Sequence, residues 1–200
     1  MRALLLLSLV IGVSSCATPG EDHGGPQARH TEVVAADIDR VWAYVSSSDR
    51  AIDWSVYFHH ITPLQGDDGA VGARRRCFRQ PDEQGIRWDE EVLELVDTGP
   101  HRVRHMHVSA LAGFSPSWAN DMEYDVWQRV DVVDDTHTTV TFQTRPRGGA
   151  VAAIAASLSF DEVQRVFGKN LDNLGRAVEQ GDRYVRRHPW EPPEHDVAPR

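Results

Sequence analysis

Residues 159–177, SFDEVQRVFGKNLDNLGRA, carry a long amphipathic helical pattern. Ser159 and Glu162 have capping-box spacing, which predicts that the helix begins there. The apolar side chains recur every three or four residues and form one stripe: Val163, Val166, Phe167, Leu171, Leu174 and Ala177. A stripe of this length needs a large apolar surface to lie on, and a curved antiparallel sheet is the obvious candidate.

The chain before this helix supplies such a sheet. Strand patterns bounded by Gly-, Pro- and Asp-rich turns occupy residues 59–64, 71–80, 86–97, 101–109, 121–133 and 137–145. A first strand is predicted at Thr31–Ala35. A helix capped by Asp37 follows, with Ile38, Val41, Trp42 and Val45 on its apolar face, and then a brief helix near Arg50–Trp54. The fold class predicted is therefore α+β, with no internal repeat.

The run Arg74-Arg75-Arg76 resembles a nucleic-acid patch only in isolation. A turn at 81–85 centred near Glu83 would place Arg76 opposite Glu90 and Arg75 opposite Glu91. Opposite charges across a hairpin stabilise it modestly, so we favour a charge-paired hairpin over a basic binding site.

The N-terminus has the pattern of an export signal. Met1-Arg2 is followed by the apolar run Ala3–Val13, which is too short to span a bilayer and has the length of a signal h-region. Val13-Ser14-Ser15-Cys16 resembles the lipobox of bacterial lipoproteins, which implies cleavage before Cys16 and acylation of its thiol. An ordinary signal peptide with a chance cysteine, or a buried N-terminal helix, are the alternatives. By analogy with Gram-negative sorting, Ala17 after the cysteine suggests the periplasmic side of the outer membrane.

Composition divides the rest of the chain. Residues 17–29 are rich in Gly, Pro and charge, as in a flexible tether. Residues 30–185 form the predicted domain, and residues 186–200 are a Pro-rich tail with the composition of a disordered segment. The full sequence has a net charge of −9 at pH 7, and loss of Arg2 with residues 1–16 makes it −10. This acidity argues against nucleic acid as a partner. With Cys16 acylated, Cys77 has no disulfide partner and is expected to be a buried strand residue rather than a reactive thiol.

Five short motifs, in this order and spacing, resemble the polyketide cyclase/dehydrase and lipid-transport branch of the SRPBCC superfamily, whose relatives include START domains and plant pollen allergens. The resemblance spans about 30–182. The motifs are the segment from Val34 to Trp42, Val71-Gly72, the segment from Trp88 to Val92, Arg145-Pro146-Arg147-Gly148-Gly149, and the segment from Asn170 to Leu174. Asp37 stands where the family commonly has proline, which affects helix initiation only.

The resemblance implies a helix-grip fold, in which a bent antiparallel sheet wraps a long C-terminal helix and an apolar cavity lies between them. The expected lining residues are aromatic or large and apolar: Trp54, Tyr57, Trp88, Met106, Phe114, Trp118, Tyr124, Phe142 and Phe167. The alternative is that these side chains merely fill a core.

Catalysis in such a cavity needs a positioned acid or base, and Glu90, Asp121 and His105 are the candidates. The sequence carries no nucleophile, phosphate-loop or zinc-protease motif. His105 and His107 share one strand face, but nothing in the sequence shows the convergence of ligands that a zinc site needs, so we expect no metal and no cofactor.

Three functions remain open at this point. The first is a membrane-tethered, non-catalytic binding protein for a hydrophobic small molecule or lipid in the cell envelope, and this is the one we favour. The second is a cyclase/dehydratase-like enzyme acting on a hydrophobic substrate in the same cavity. The third is an envelope interaction module, which an extended exposed apolar patch would favour. The sequence does not specify the ligand or the oligomeric state.

Overall fold

A computed structural model describes residues 27–115, 117–148, 150–157 and 159–181. The predicted signal at residues 1–16, most of the tether at 17–29 and the tail at 186–200 lie outside the described residues. The elements in chain order are β1 (Ala28–Val34), α1 (Ile38–Ser46), α2 (Ser48–Trp54), β2 (His60–Gln65), β3 (Arg74–Phe78), β4 (Arg87–Val96), β5 (His101–Ala112), a 3-10 helix (Ser117–Asp121), β6 (Glu123–Asp134), β7 (His137–Arg147), α3 (Ala150–Ser157) and α4 (Phe160–Gln180).

The strands form a seven-stranded antiparallel sheet in the order β1-β7-β6-β5-β4-β3-β2. Helix α4 packs with its apolar stripe inward, so that Leu171, Leu174 and Val178 are fully buried. This is the helix-grip arrangement, and the α+β prediction is confirmed. The core consists of the concave face of the sheet, the inner face of α4, and α1 with α2.

Helix α1 begins as the sequence predicts. The Asp37 carboxylate accepts a hydrogen bond of 2.9 Å from the backbone N–H of Arg40, which is the N-cap interaction. Val41 and Val45, spaced by one helical turn, are then fully buried against the sheet.

The predicted capping box of α4 is wrong. Ser159 has helical backbone angles instead of the extended cap conformation, and its hydroxyl donates to the carbonyl of Ala156 at 2.9 Å. Glu162 instead pairs with Arg165, one turn along the helix. The physical reason is α3, an alanine-rich helix that the sequence analysis did not predict. Because α3 ends at Ser157 and the Ser159 N–H donates to the carbonyl of Ala156 at 2.9 Å, the chain enters α4 from a turn rather than from an extended segment.

The β3–β4 hairpin is charge-paired, but the predicted register is wrong by one residue. Arg75 lies opposite Glu90 and Arg76 opposite Asp89, because the turn centres between Asp82 and Glu83 rather than on Glu83. Residues with positive φ, Glu83 at 61° and Gly85 at 78°, form this turn. Arg75 and Glu90 therefore share the concave face, where their charges are buried.

Candidate functional site

A cavity of about 760 Å³ lies between the concave face of the sheet and α4. All nine side chains that the sequence analysis proposed line it: Trp54, Tyr57, Trp88, Met106, Phe114, Trp118, Tyr124, Phe142 and Phe167. Their role in binding a ligand stays a prediction.

Strand alternation sets the walls. Successive residues on one strand point to opposite faces of the sheet, so alternate residues of β6, Tyr124, Val126 and Gln128, face the cavity. Met106 and Val108 of β5 lie on one side of this row. Phe142 of β7 lies on the other side, and the roof is α4.

Several wall residues also belong to the packed core. The Trp54 ring lies 5.4 Å from that of Phe142, and Phe142 meets Phe167 of α4 edge-on at 5.9 Å. Trp88 is edge-on to Tyr57 at 6.1 Å. The choice between core filling and cavity lining is therefore not exclusive, because these rings hold one another in place while one face of each borders the cavity.

The rim is formed by the loop between β5 and β6. Phe114 and Trp118 on this loop line the cavity, and Trp118 is 40% exposed. The Asn120 side chain closes the loop, since it accepts a 2.9 Å hydrogen bond from the backbone N–H of Phe114 and donates one of 3.4 Å to the carbonyl of Phe114. The loop backbone is in contact with the β3–β4 hairpin, because a Cβ at Gly113 would lie 2.3 Å from the backbone of Gly85.

A buried ion pair lies in the cavity wall. Arg75 donates to the Glu90 carboxylate from Nε at 2.8 Å and from Nη2 at 2.6 Å. Trp88 Nε1 donates to the other Glu90 oxygen at 2.9 Å. Arg75 also donates to the Ser48 hydroxyl at 2.6 Å, and Ser48 in turn donates to Asp68.

The electrostatics of this pair keep Glu90 ionised. Burial raises the pKa of a carboxyl group, but the charge of Arg75 and the hydrogen bonds from Trp88 and Arg75 outweigh burial and hold the pKa of Glu90 below its usual value. The same balance holds for Asp68, where hydrogen bonds from Ser48 outweigh burial and lower the pKa. Burial, with the like charge of Arg75, lowers the pKa of Arg104 to about 9, so Arg104 is still charged at neutral pH.

Sequence reasoning named Glu90 as a polar residue of the cavity but missed others. It treated Arg75 only as a hairpin residue, and it did not single out Gln128. It also missed Arg104, which is buried opposite Gln128 on β5 but does not line the cavity. A signal was available for Arg104, because it shares the period-two face of Met106 on β5, so a buried Met106 implies a buried Arg104.

Of the three acid–base candidates, the structure brings only Glu90 into the cavity wall. His105 lies on the opposite face of the sheet, stacks on Trp127 at 4.5 Å and contacts Asp125 at 3.1 Å. Asp121 is exposed at the end of the 3-10 helix. Successive strand residues face opposite sides of the sheet. Because Met106 faces the cavity, its neighbour His105 must face the other side, so the prediction of His105 in the cavity is wrong.

Cys77 is a fully buried β3 residue, as expected, and burial raises the pKa of its thiol well above the usual value. Within the ranges that the structure describes, no three His, Cys, Asp or Glu side chains converge as a metal site requires. In the same part of the chain, no helix combines the length and apolar character needed to cross a membrane.

Solved structures share this architecture. A hypothetical protein from Helicobacter pylori superposes with a TM-score of 0.61 at 14% identity, over 89% of this chain and 99% of that one. Norcoclaurine synthase from Thalictrum flavum, in complex with dopamine and hydroxybenzaldehyde, superposes with a TM-score of 0.54 at 14% identity. The match covers 90% of this chain and 98% of the synthase chain. Ara h 8.0201 superposes with a TM-score of 0.52 at 10% identity, over 78% of this chain and 99% of that one.

The chain has an SRPBCC-type fold. Norcoclaurine synthase and Ara h 8.0201 are folds of this type, so the resemblance in the sequence motifs is confirmed at the level of architecture. Neither a protein-family model nor a curated protein sequence matches the chain.

Proposed function

We propose that this chain is a non-catalytic binding protein that holds a hydrophobic small molecule or lipid in the cavity between the sheet and α4. The observation that carries the proposal is the cavity itself. Its volume of about 760 Å³ falls within the range of about 300–1,000 Å³ of small-molecule sites. Aromatic walls bury a flat or chain-like ligand, and the few polar groups among them orient it.

We further propose that Cys16 is acylated and tethers this domain to a membrane of the bacterial cell envelope. The support is the pattern of residues 1–16, with a short apolar run and Val13-Ser14-Ser15 before the cysteine. A chain with a net charge of −9 gains little from electrostatic attraction to anionic lipids, so a covalent lipid would supply the membrane affinity. A domain held at the surface exchanges hydrophobic cargo with the bilayer over a short distance.

The bonding of Glu90 favours binding over the cyclase/dehydratase alternative. Of the three acid–base residues proposed from the sequence, Glu90 alone lies in the cavity wall, and its oxygens already accept hydrogen bonds from Trp88 and Arg75. A carboxyl group whose pKa lies below its usual value carries no proton to donate at neutral pH. General acid catalysis by Glu90 would first require this ion pair to break.

The cavity proposal is tested by recovering the ligand. The full chain, produced in a bacterium and purified from membranes, is analysed by native mass spectrometry and by solvent extraction. Val126→Trp fills the cavity from β6, and Val133→Trp places the same bulk on an exposed site of the same strand. We expect a hydrophobic molecule with the wild type and with Val133→Trp and its loss with Val126→Trp. Equal recovery from both variants, or an empty wild-type protein, would refute the proposal.

The tether is tested separately. Labelled palmitate should be incorporated into the wild type and into Cys77→Ser, and Cys16→Ser should lose both the label and its place in the membrane fraction. Cys77 is the matched control because it is the second of the two cysteines in the chain. Wild-type protein without label, or Cys16→Ser that stays in the membrane fraction, would refute the anchor and leave the cavity proposal intact.

A further inference from the structure

Four strands begin or end at one end of the sheet, which we call the rim end. Strand β1 begins there, since Ala28 lies opposite Thr144, three residues before β7 ends at Arg147. Strand β6 begins there with Glu123 opposite Arg147, and β5 ends there at Ala112 and continues into the rim loop. Helix α3 follows β7, so it leaves the sheet at this end as well. The rim end therefore combines the start of the described chain, the rim loop and α3.

Two large apolar side chains are exposed at the rim end. Trp118 of the rim loop is 40% exposed, and Ile154 of α3 is 66% exposed, the most of any large apolar side chain that the structure describes. Ser159, which follows α3, lines the same cavity as Trp118. Residues 148–160 contain no Asp, Glu, Lys, Arg or His, although 26% of the chain is charged. Tryptophan and uncharged aliphatic side chains are the residues that the boundary of a lipid bilayer accommodates.

The opposite end of the sheet also exposes valines, but it is acidic. Val132 and Val133, near the end of β6, are 41% and 55% exposed, and they lie in the run Asp131-Val132-Val133-Asp134-Asp135. Val96, at the end of β4, is followed by Asp97. Carboxylates are repelled by anionic lipid head groups, and a charge is costly to move into hydrocarbon. The charge pattern therefore favours the rim end over the opposite end as the surface that meets a bilayer.

The predicted tether starts at the rim end. Gln27, the first described residue, is next to the start of β1 and accepts a 2.7 Å hydrogen bond from the Gln143 side chain. Cys16 is eleven residues earlier, so the extended chain between them reaches at most about 36–40 Å. Strand β7, with 11 residues, spans about 36 Å, and the opposite end of the sheet lies that much further from Gln27. An acylated Cys16 would therefore hold the rim end nearest to the bilayer.

The C-terminal segment leaves the domain at the other end. Helix α4 starts beside the cavity, and its 21 residues span about 32 Å. Near its end, the carbonyl of Glu179 accepts a hydrogen bond from Arg40 of α1, and α1 begins just after β1 ends, opposite the rim end. Residues 182–200 therefore start far from Ile154 and Trp118, which argues against this segment as the partner of the exposed apolar side chains.

We propose that the rim end docks on the surface of a lipid bilayer, with Trp118 and Ile154 at the boundary between the head groups and the acyl chains. This inference rests on the proposed function, because it assumes the anchor at Cys16, and it names the bilayer as the partner of the rim. The docked domain turns the rim of its cavity toward the lipid. A hydrophobic molecule then passes between the bilayer and the cavity without crossing water, which apolar surface avoids.

A polarity-sensitive fluorophore at each end of the sheet tests the docking. Once Cys16 carries its acyl group, a single introduced cysteine can be labelled selectively, because Cys77 is fully buried. The full acylated chain is labelled with nitrobenzoxadiazole in Ile154→Cys or in Val133→Cys and is reconstituted with phosphatidylcholine vesicles that contain a doxyl-labelled lipid. We expect the label at position 154 to emit at shorter wavelength and to be quenched by the doxyl lipid. The label at position 133 should show neither change.

A second substitution tests the contribution of Trp118. In the labelled Ile154→Cys protein, Trp118→Ser should reduce the quenching, whereas Val96→Ser, which removes an exposed apolar side chain at the opposite end of the sheet, should leave it unchanged. Thermal melts establish that both proteins are folded. Quenching that is unaffected by Trp118→Ser would overturn the placement of the rim in the bilayer.

The remaining outcomes separate the docking from the anchor. If palmitate is incorporated and neither label is quenched, or if the label at position 133 is quenched as much as that at 154, the docking is overturned and the tether and cavity stand. Without palmitate, the anchor and the docking fall together and the cavity proposal is unaffected. In the Cys16→Ser chain without lipid, the label at position 154 should report water. An apolar environment there would mean that another copy or residues 182–200 cover this surface, which would overturn the inference.

Discussion

Glu90 is the residue whose replacement should affect stability most directly. It is buried beside Arg75, and Glu90→Gln would leave the Arg75 guanidinium without its counter-charge next to Arg104. Breaking a buried pair by removing one partner costs about 3–5 kcal/mol, and we expect that loss in the free energy of unfolding measured with urea at neutral pH.

The same carboxyl gives a pH dependence with a definite sign. Because the pKa of Glu90 is lower in the folded than in the unfolded chain, its contribution to stability is present above the unfolded pKa of about 4.3 and is lost as pH falls through the folded pKa. The difference in the free energy of unfolding between wild type and Glu90→Gln should therefore shrink in acid.

Glu91→Gln, at the next position and on the opposite face of the sheet, is the matched control and should lower the free energy of unfolding by less than about 1 kcal/mol. Equal losses at Glu90 and Glu91 would contradict this account.

Hydrophobicity and family resemblance were enough to find nine of the cavity-lining side chains, but they did not identify Arg75 or Gln128 in the cavity wall. Large apolar residues on a strand can be assigned to the buried face from the pattern alone. Arg104 and Gln128 are buried because they share a sheet face with apolar neighbours. The identity of a polar residue, taken without its neighbours, does not predict that it is buried. His105 shows the converse error, since its side of the sheet follows from the position of Met106.

At the scale of elements, the rim depends on a close approach of two loops. Gly113 has φ of 77°, and a Cβ there would lie 2.3 Å from the backbone of Gly85, so Gly113→Ala combines backbone strain with a steric clash. Gly99 has nearly the same φ, 79°, with nothing within 4 Å of the added Cβ, and Gly99→Ala isolates the strain. We expect Gly99→Ala to cost about 1 kcal/mol and Gly113→Ala at least twice that in thermal or urea unfolding.

The same pair of glycine variants should differ in ligand binding, because the rim loop lines the cavity. Anilinonaphthalene sulfonate is a dye that binds apolar cavities and serves as the probe. If the contact between Gly113 and Gly85 positions Phe114 and Trp118, Gly113→Ala should weaken binding of this dye, and Gly99→Ala should not. Similar costs for the two variants would mean that the loops separate freely and that the contact does not hold the rim.

The order of the elements could be predicted from the sequence, and their junctions could not. The apolar stripe of α4 and the Asp37 cap of α1 follow from local periodicity and local hydrogen bonding. The start of α4 depends instead on α3, whose alanine-rich sequence has helix propensity but no amphipathic pattern. The hairpin register depends on the backbone angles of Glu83 and Gly85, and a shift of half a residue in the turn centre exchanged the charge partners.

At the scale of the whole molecule, a large cavity links ligand binding to stability. A cavity of about 760 Å³ between the sheet and α4 means that the side chains around it lack packing contacts that they would have in a filled core. A bound ligand restores these contacts. Binding to the folded state alone stabilises it by about 2.7 kcal/mol when the ligand is at about 100 times its Kd. For a domain of this size, a hydrophobic probe of the cavity such as decanol, at that excess, should raise the melting midpoint by roughly 5–10 °C.

The cavity-filled variant separates this linkage from other effects of decanol. Val126→Trp occupies the space from β6, so its melting midpoint should respond little to decanol, whereas Val133→Trp should respond like the wild type. A solvent effect of decanol would shift all three proteins equally and would contradict the linkage. A shift confined to the two proteins with an open cavity would mean that the space between the sheet and α4 is where the ligand acts on the stability of the fold.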